Sequence, residues 1–300
     1  MGIKNFTKAI KRVAPESIVT KDASNLRGSV VGVDISLSLY QVVCGINTTL
    51  THKDRDVTHI YGLYKRFSAL KSCGANLVAV LDGKPPEMKN KTLERRATKP
   101  SRFRITKQHI EDVGSLCDVL GIPVLQAKGE ADVLLASLYE NKQIDYIFSN
   151  DGDIVVYGGR KLIRSLRNNM ITILDGDILL QGFRALNKDF SATSLIELGC
   201  LLGNDYNDNP KNIGVVRALN GMIKHNDMEK VLLDNNRSSD LPNLRCSKEI
   251  FLNAHKVEEP SKINFEKPDA TCIRNYLRDV VGVREDKITA SPWCGEEILV

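Results

Sequence analysis

Val30-Val31-Gly32-Val33-Asp34 is a short apolar run that ends on a carboxylate, and the pattern recurs along the chain. Leu77 to Leu81 leads into Asp82, Ile122 to Leu125 into Glu130 and Asp132, and Tyr146 to Phe148 into Asp151 and Asp153. Runs this short and this rich in Val, Ile and Leu read as strands buried on both faces of a parallel sheet. Ligands of open α/β sheets bind beyond the carboxyl ends of the strands, so acids that follow successive strands converge on one crevice although they are far apart in sequence. A further acid, Asp205, closes the apolar segment Ile196 to Gly203. Carboxylates gathered in this way repel one another unless cations neutralise them, and an all-oxygen donor set selects Mg²⁺, with Mn²⁺ as a substitute. Two such ions, about 3.5 to 4 Å apart, are what in-line displacement at a phosphodiester requires.

The paired acids need local explanations. Glu130 and Asp132 are two apart, a spacing that points side chains to nearly opposite sides of a regular helix. They converge only where a loop becomes a helix, and Gly129 marks that junction. In Ser149-Asn150-Asp151-Gly152-Asp153 the two acids follow a strand, where alternate residues share a face, and Gly152 is expected to let the backbone turn beside an ion.

The chain of 300 residues, 42% of them apolar, can bury a sizeable core. Its seven cysteines are scattered without a Cys-x-x-Cys, which speaks against a disulfide framework or a zinc site. No apolar run approaches the roughly 20 residues of a membrane span and no charged-then-apolar signal opens the chain, so an intracellular, soluble protein is expected. The net charge of +5 is unevenly placed: Lys84 to Lys107 holds nine Lys/Arg against Glu87 and Glu94, so this stretch carries +7 and the remainder −2. A basic stretch that includes Lys84, Arg95, Arg102 and Arg104, set directly after Asp82, suits a polyanionic substrate bound through its phosphates.

Helical spacing appears at Thr58 to Cys73, from about Lys107 to Leu120, and over Glu130 to Asn141, whose opening acids suit the positive end of a helix dipole. Lys161 to Leu166 and Met170 to Leu174, separated by Arg167-Asn168-Asn169, read as a hairpin. From Ser191 the chain is mostly helical, with Ser191 or Thr193 as N-cap. Asp234 to Asp240 reads as a loop.

Taken together these residues resemble the XPG-type structure-specific 5′ nucleases, the flap endonuclease family. Met1-Gly2-Ile3-Lys4 and Val33-Asp34-Ile35-Ser36-Leu37-Ser38-Leu39-Tyr40 are similar to its opening and first acidic motif, and Leu81-Asp82-Gly83-Lys84-Pro85-Pro86 is the most specific string. Gly129-Glu130-Ala131-Asp132, Asn150-Asp151-Gly152-Asp153 and Leu202-Gly203-Asn204-Asp205-Tyr206 match the remaining acidic motifs. Asn212-Ile213-Gly214 resembles a helix-two-turn-helix that holds duplex DNA through a K⁺ ion.

The resemblance implies an α/β, PIN-like 5′-nuclease fold: a mostly parallel central sheet flanked by helices, with the helix-two-turn-helix added. It implies one nuclease domain over 1–300, with an N-terminal region to about 107, a helical cap or gateway over 84–110, and an internal region over 115–225. The helix-two-turn-helix would occupy about 200–226, followed by a C-terminal helical region, 227–300. Asp34, Asp82, Glu130 and Asp132 would serve a first Mg²⁺, and Asp151, Asp153 and Asp205 a second, with Asp132 between them. Lys89 and Arg96 would neutralise the scissile phosphate; seven apart on a helix, they share a face. Tyr40 would stack on a base near the cut, and the small Gly2 would let the N-terminus approach DNA. Ile213, Gly214 and Arg217 would meet the duplex.

The implied activity is cleavage of 5′ flaps near the junction of single strand and duplex, in replication, repair or recombination, by a monomer acting on branched or nicked DNA in the nucleus or at a site of viral DNA replication. Three departures from the family pattern bear on this. Only 47 residues separate Asp82 from Glu130, so the cap is shortened and a threaded strand is expected to be enclosed incompletely. Asp132 matches the exonuclease branch, which supports a 5′–3′ exonuclease as the alternative, and Val215-Val216 replaces an expected Pro-Lys. No Gln-x-x-aliphatic-x-x-Phe-Phe motif for a sliding clamp occurs. A PIN-type RNase leaves Ile213 to His225 as a surplus feature, and an inactive junction binder leaves the acids without a reason.

Overall fold

The computed structural model describes residues 2–45, 48–84, 104–254 and 262–294. Lys89, Arg95, Arg96, Arg102 and most of the expected cap lie outside the described residues.

The chain opens with α1 (Phe6–Val13) and β1 (Ile18–Asp22), then β2 (Val30–Asp34), which runs straight into α2 (Ile35–Gly45). A short hairpin, β3 (Thr51–His52) and β4 (Arg55–Asp56), leads to α3 (Thr58–Ser72) and β5 (Asn76–Leu81). Next come α4 (Lys107–Leu120), β6 (Val124–Gln126), α5 (Ala131–Glu140), β7 (Tyr146–Phe148) and α6 (Asp153–Tyr157). The hairpin β8 (Lys161–Arg167) and β9 (Met170–Asp175) precedes α7 (Gly176–Leu186), α8 (Ala192–Leu202), α9 (Val215–His225), α10 (Met228–Asp234), α11 (Leu241–Asn253) and α12 (Ala270–Tyr276).

The principal sheet has the order β1-β9-β8-β7-β2-β5-β6. Pairing is parallel from β6 through β5, β2 and β7 to β8, and antiparallel at β8–β9 and β9–β1. The expected mostly parallel sheet is therefore present, edged by a hairpin whose two-residue turn is made by Asn168 and Asn169, both in the left-handed region. Asn tolerates that region, as a tight hairpin turn demands. Arg167, expected in the turn, is instead the last residue of β8, and the strand expected at 122–125 is observed two residues later.

Side chains alternate across the sheet. Val78 and Val80 face a core shared with α1, α5 and α8, while Val31, Val33, Leu77 and Ala79 face one shared with α2, α3 and α4. Both faces are covered, which accounts for apolar runs without polar alternation. Gly32 is the exception in its strand. A Cβ there would come within 2.7 Å of Leu135 and of Ile144, so the missing side chain lets α5 lie close against β2. Helix ends follow the sequence: Ser191 caps α8 through the Ser194 N–H, and Gly121 ends α4 in the left-handed conformation.

The connections place the acids. β5 lies on one side of β2 and β7 on the other, so the carboxyl ends of these three neighbours form the crevice at which open sheets bind ligands. Among the described residues no helix is long and apolar enough to cross a membrane.

Gly32→Val is expected to destabilise the protein by about 1 to 3 kcal/mol, the usual cost of overpacking, read as a lower urea midpoint with an unchanged m-value. An unchanged midpoint would show that α5 does not need this close approach.

Candidate active site

Asp34 is the last residue of β2, and its Oδ1 accepts the Leu37 N–H at 3.0 Å in the first turn of α2. Its Oδ2 accepts from Ser149 Oγ at 3.2 Å, a hydroxyl that in turn accepts the Asp151 N–H. Asp82 follows β5 directly and caps α5 from a distance, its Oδ1 accepting the Ala131 N–H at 2.8 Å. Gly83 permits this: a Cβ there would meet the Ala127 carbonyl oxygen at 2.1 Å. The backbone crosses at that point, with Gly83 N–H donating to the Gly129 carbonyl at 2.7 Å. Glu130 has extended backbone at the N-cap of α5 and Asp132 sits in its first turn, the loop-to-helix junction anticipated from Gly129.

The Asp151-Gly152-Asp153 segment is not strand-like. β7 ends at Phe148, Asp151 lies in a loop, and Asp153 begins α6, donating its N–H to Asp151 Oδ1 at 3.1 Å. Gly152 has an ordinary helical conformation, so the turn expected of it is absent. It is small because a Cβ would meet the Phe6 ring at 2.7 Å. Asp153 is buried, and its Oδ1 accepts the Ile3 N–H at 2.7 Å.

Gly2 lies against the same loop. A Cβ on Gly2 would stand 2.0 Å from Asp151 Oδ1 and 2.8 Å from Asp153 Oδ1, and its φ of +77° already favours glycine. The Lys4 N–H donates to the Gly203 carbonyl at 2.9 Å, so residues 2–4 tie the Asp151 loop to the loop that carries Asp205.

Six of the seven acids, Asp34, Asp82, Glu130, Asp132, Asp151 and Asp205, line one cavity of about 240 Å³ together with Tyr40 and Ile105. Asp153 is not among them. Tyr40 is 45% exposed. Burial, reinforced by the charges of Asp82 and Asp151, pushes the Asp34 carboxyl up to about 7 against the hydrogen bond from Leu37. Among the described residues no three His, Cys, Asp or Glu side chains are gathered closely enough to grip one ion as they stand. The polar lining is oxygen only, six carboxylates with the hydroxyls of Ser36 and Tyr40, a donor set that suits a hard cation such as Mg²⁺ or Mn²⁺.

Cationic groups border the acids. Lys84 and Arg104 of the basic stretch are exposed, Lys84 two residues beyond Asp82 and Arg104 next to the cavity-lining Ile105. A second cavity, about 420 Å³, is lined by Arg66, Arg164 and Arg167 with Gln41, Phe148 and Asn150. Asn150 immediately precedes Asp151, so the arginine-lined cavity adjoins the acidic one. Arg66 lies over the Phe148 ring, 5.4 Å from its centroid. No local pattern in the sequence marks these arginines; they come together only through the pairing of β7 with β8 and the packing of α3.

The Asp205 loop is ordered by buried Asn204, whose Oδ1 accepts from the Tyr206 N–H at 2.8 Å and the Asn207 N–H at 3.2 Å. Ser247 of α11 donates to the same oxygen at 3.2 Å. Tyr206, adjacent to Asp205, donates from its hydroxyl to Glu130 Oε2 at 3.1 Å, and the Tyr157 hydroxyl stands 2.7 Å from that of Tyr206. Burial holds the Tyr157 phenol well above its ordinary pKa.

Beyond Pro210 the connection from α8 to α9 places Asn212 in the left-handed region and Gly214 at the N-cap of α9. Ile213 is fully buried, so its side chain does not reach a ligand, contrary to the expectation of a DNA contact. Arg217 is exposed, and its Nη1 donates to the Asn212 carbonyl at 2.7 Å.

The XPG N-terminal domain model matches residues 1–102 and the XPG I-region model residues 121–205, which together exceed half of the chain. Flap endonuclease 1-B of Oryza sativa subsp. indica is 32% identical over 266 residues, covering 77% of this chain and 63% of the rice protein. Flap endonuclease 1 of Plasmodium knowlesi (strain H) is 30% identical over 341 residues, covering 96% of this chain and 56% of that protein. The chain thus spans less than two thirds of the length of either relative. In overall fold it superposes on the catalytic core of Rad2 in complex with DNA substrate with a TM-score of 0.77 at 21% identity, covering 96% of this chain and 98% of that one. Flap endonuclease-1 from Methanococcus jannaschii gives 0.68 at 20% identity, covering 91% and 94%.

A carboxyl that binds its proton more tightly folded than unfolded adds stability that is complete below its unfolded pKa and lost as pH rises through the folded one. In EDTA the melting temperature should therefore fall between about pH 5 and about pH 8. Asp34→Asn should flatten that decline and melt higher than the parent at the alkaline end. Identical pH profiles for the two proteins would remove Asp34 as the cause.

Proposed function

The chain belongs to the XPG family, and on that premise we propose that it is a divalent-metal-dependent, structure-specific DNA endonuclease that cuts 5′ flaps near the junction of single strand and duplex. The observation that carries this reading is the convergence of six carboxylates, from the ends of β2 and β5, the start of α5 and two loops, on one cavity that adjoins an arginine-lined one. Negative charge alone would expel a polyanion; paired with Mg²⁺ and bordered by arginines it suits one.

Asp34, Asp82, Glu130 and Asp132 are assigned to one Mg²⁺ and Asp151 and Asp205 to the other, with Mn²⁺ as a substitute. When bound, the ions supply an activated water and charge stabilisation for the entering and leaving oxygens. Asp153 is assigned to the second ion only indirectly, through the Asp151 loop that its N–H holds. The protein's own groups bind and orient: Tyr40, exposed at the cavity rim, stacks on a base beside the cut, while Arg66, Arg164 and Arg167 take backbone phosphates. Lys84, Arg95, Arg102 and Arg104 take phosphates of the single strand, and Lys89 and Arg96 stabilise charge on the scissile phosphate. At the helix-two-turn-helix only Gly214 and Arg217 remain to meet duplex, Arg217 by leaving the Asn212 carbonyl. A K⁺ ion at this turn is part of the proposal; the Asn212 carbonyl, which accepts from Arg217 Nη1, keeps a second lone pair.

Residues 1–300 are read as one nuclease domain acting as a monomer on branched or nicked DNA, in the nucleus or at a site of viral DNA replication.

Asp205→Ala should abolish cleavage of an end-labelled 5′-flap DNA in Mg²⁺ while binding in EDTA stays level or tightens, since repulsion of phosphate is reduced. Near-normal turnover would sink the metal assignment. Lys89→Ala and Arg96→Ala should each slow the saturated rate by about 10² to 10³, the range for losing one transition-state contact, with a smaller change in affinity. Weak binding with normal turnover at saturation would make them general phosphate contacts instead.

A further inference from the structure

Glu130 is held from a side chain of the Asp205 loop. Asp34 and Asp82 each accept a main-chain N–H, and Asp151 accepts that of Asp153, whereas the hydrogen bond at Glu130 Oε2 comes from a side chain, Tyr206 Oη. A phenol has one proton. With the Tyr206 proton directed at Glu130, the 2.7 Å contact between the hydroxyls of Tyr157 and Tyr206 must run from Tyr157 as donor to Tyr206 as acceptor. The result is a directed chain, Tyr157 to Tyr206 to Glu130.

Its members sit where they can couple separate parts of the site. Tyr157 ends α6, the helix that starts at Asp153 beside Asp151, and Tyr206 directly follows Asp205. Three carboxylate-bearing segments, far apart in sequence, therefore meet at two hydroxyls. Both rings rest on Phe251 of α11, whose centroid is 4.8 Å from that of Tyr157 and 5.5 Å from that of Tyr206. Four residues earlier on α11, Ser247 donates to the Asn204 side chain that orders the Asp205 loop. α11 lies beyond residue 205, where the match to the XPG I-region ends.

We propose that Tyr157 and Tyr206 are positioning residues that fix Glu130 and the Asp205 loop relative to one another for metal binding, with α11 as their foundation. This rests on the nuclease reading of the acidic cavity. Neither phenol touches the reacting atoms. Partners of metal ligands of this kind typically contribute about 10- to 100-fold in metal affinity or activity.

The test uses Tyr157→Phe, Tyr206→Phe and the double variant, which keep both rings on Phe251 and remove only hydroxyls. Mn²⁺ binding without DNA is measured by calorimetry, and the Mg²⁺ dependence of flap cleavage is measured beside it. Tyr206→Phe should weaken Mn²⁺ binding and raise the half-saturating Mg²⁺ concentration by about 10-fold or more, with flap-DNA affinity in EDTA unchanged. Tyr157→Phe should shift both in the same direction by less, and the double variant should be no worse than Tyr206→Phe, because a chain broken at its second link gains nothing from its first. Wild-type Mn²⁺ affinity in Tyr206→Phe, or additive losses that track melting temperature, would overturn the positioning role and leave the nuclease reading standing. A parent protein that binds no Mn²⁺ and cuts no flap would overturn both.

Discussion

Electrostatic repulsion among carboxylates is the constraint to which the rest of this molecule answers. Six acids in a cavity of about 240 Å³ oppose one another, and the folded chain must hold them there before any cation helps. It does so by giving them fixed dipoles to face. Asp34 and Asp82 lie at the starts of α2 and α5, where N–H groups without helical partners point outward. Asp151 receives the N–H that opens α6. The helices thus stabilise the site as well as the core. Asp34, the most buried of the six and flanked by two others, shows the residual cost in its raised pKa.

This also explains why the sheet is parallel where it is. A parallel arrangement sends every strand into the same edge and starts a helix just beyond it, so carboxylates and helix N-termini arrive together. The antiparallel hairpin β8–β9 stands outside that logic, and its contribution is cationic: Arg164 and Arg167 sit on β8 and face a cavity shared with Arg66 of α3. Acidic and basic surfaces thus lie side by side, joined through the parallel pairing of β7 with β8.

Much of the architecture was legible because burial leaves a mark on composition. Apolar runs ending on Asp announced the parallel strands, and Gly129 before Glu130 announced the junction that lets two acids converge. Where the reading failed, the missing information was three-dimensional. The small size of Gly152 reflects the ring of Phe6, distant in sequence, rather than a turn of its own, and nothing local shows that Asp153 accepts an N–H from Ile3. Ile213 stood within a motif matched to a DNA contact, yet its side chain completes the core. Tyr206 was adjacent to a recognised acid, but nothing local reveals that its hydroxyl reaches Glu130, 76 residues earlier.

The thread that runs from residues 2–4 into the two acidic loops has a bearing on when the cavity can exist at all. Ile3 meets Asp153 across 150 residues, and Lys4 reaches Gly203. Contacts of such long sequence separation form late, since the intervening loop must close before they repay it. A chain still emerging from the ribosome can assemble β2, α2, α3 and β5 from local pieces, but it cannot bring Gly2 and Asp205 to the same crevice until α8 and the loop after it are free. Cutting therefore waits until the chain past Asp205 has been made, and a product truncated before that point carries most of the acids without the means to gather them.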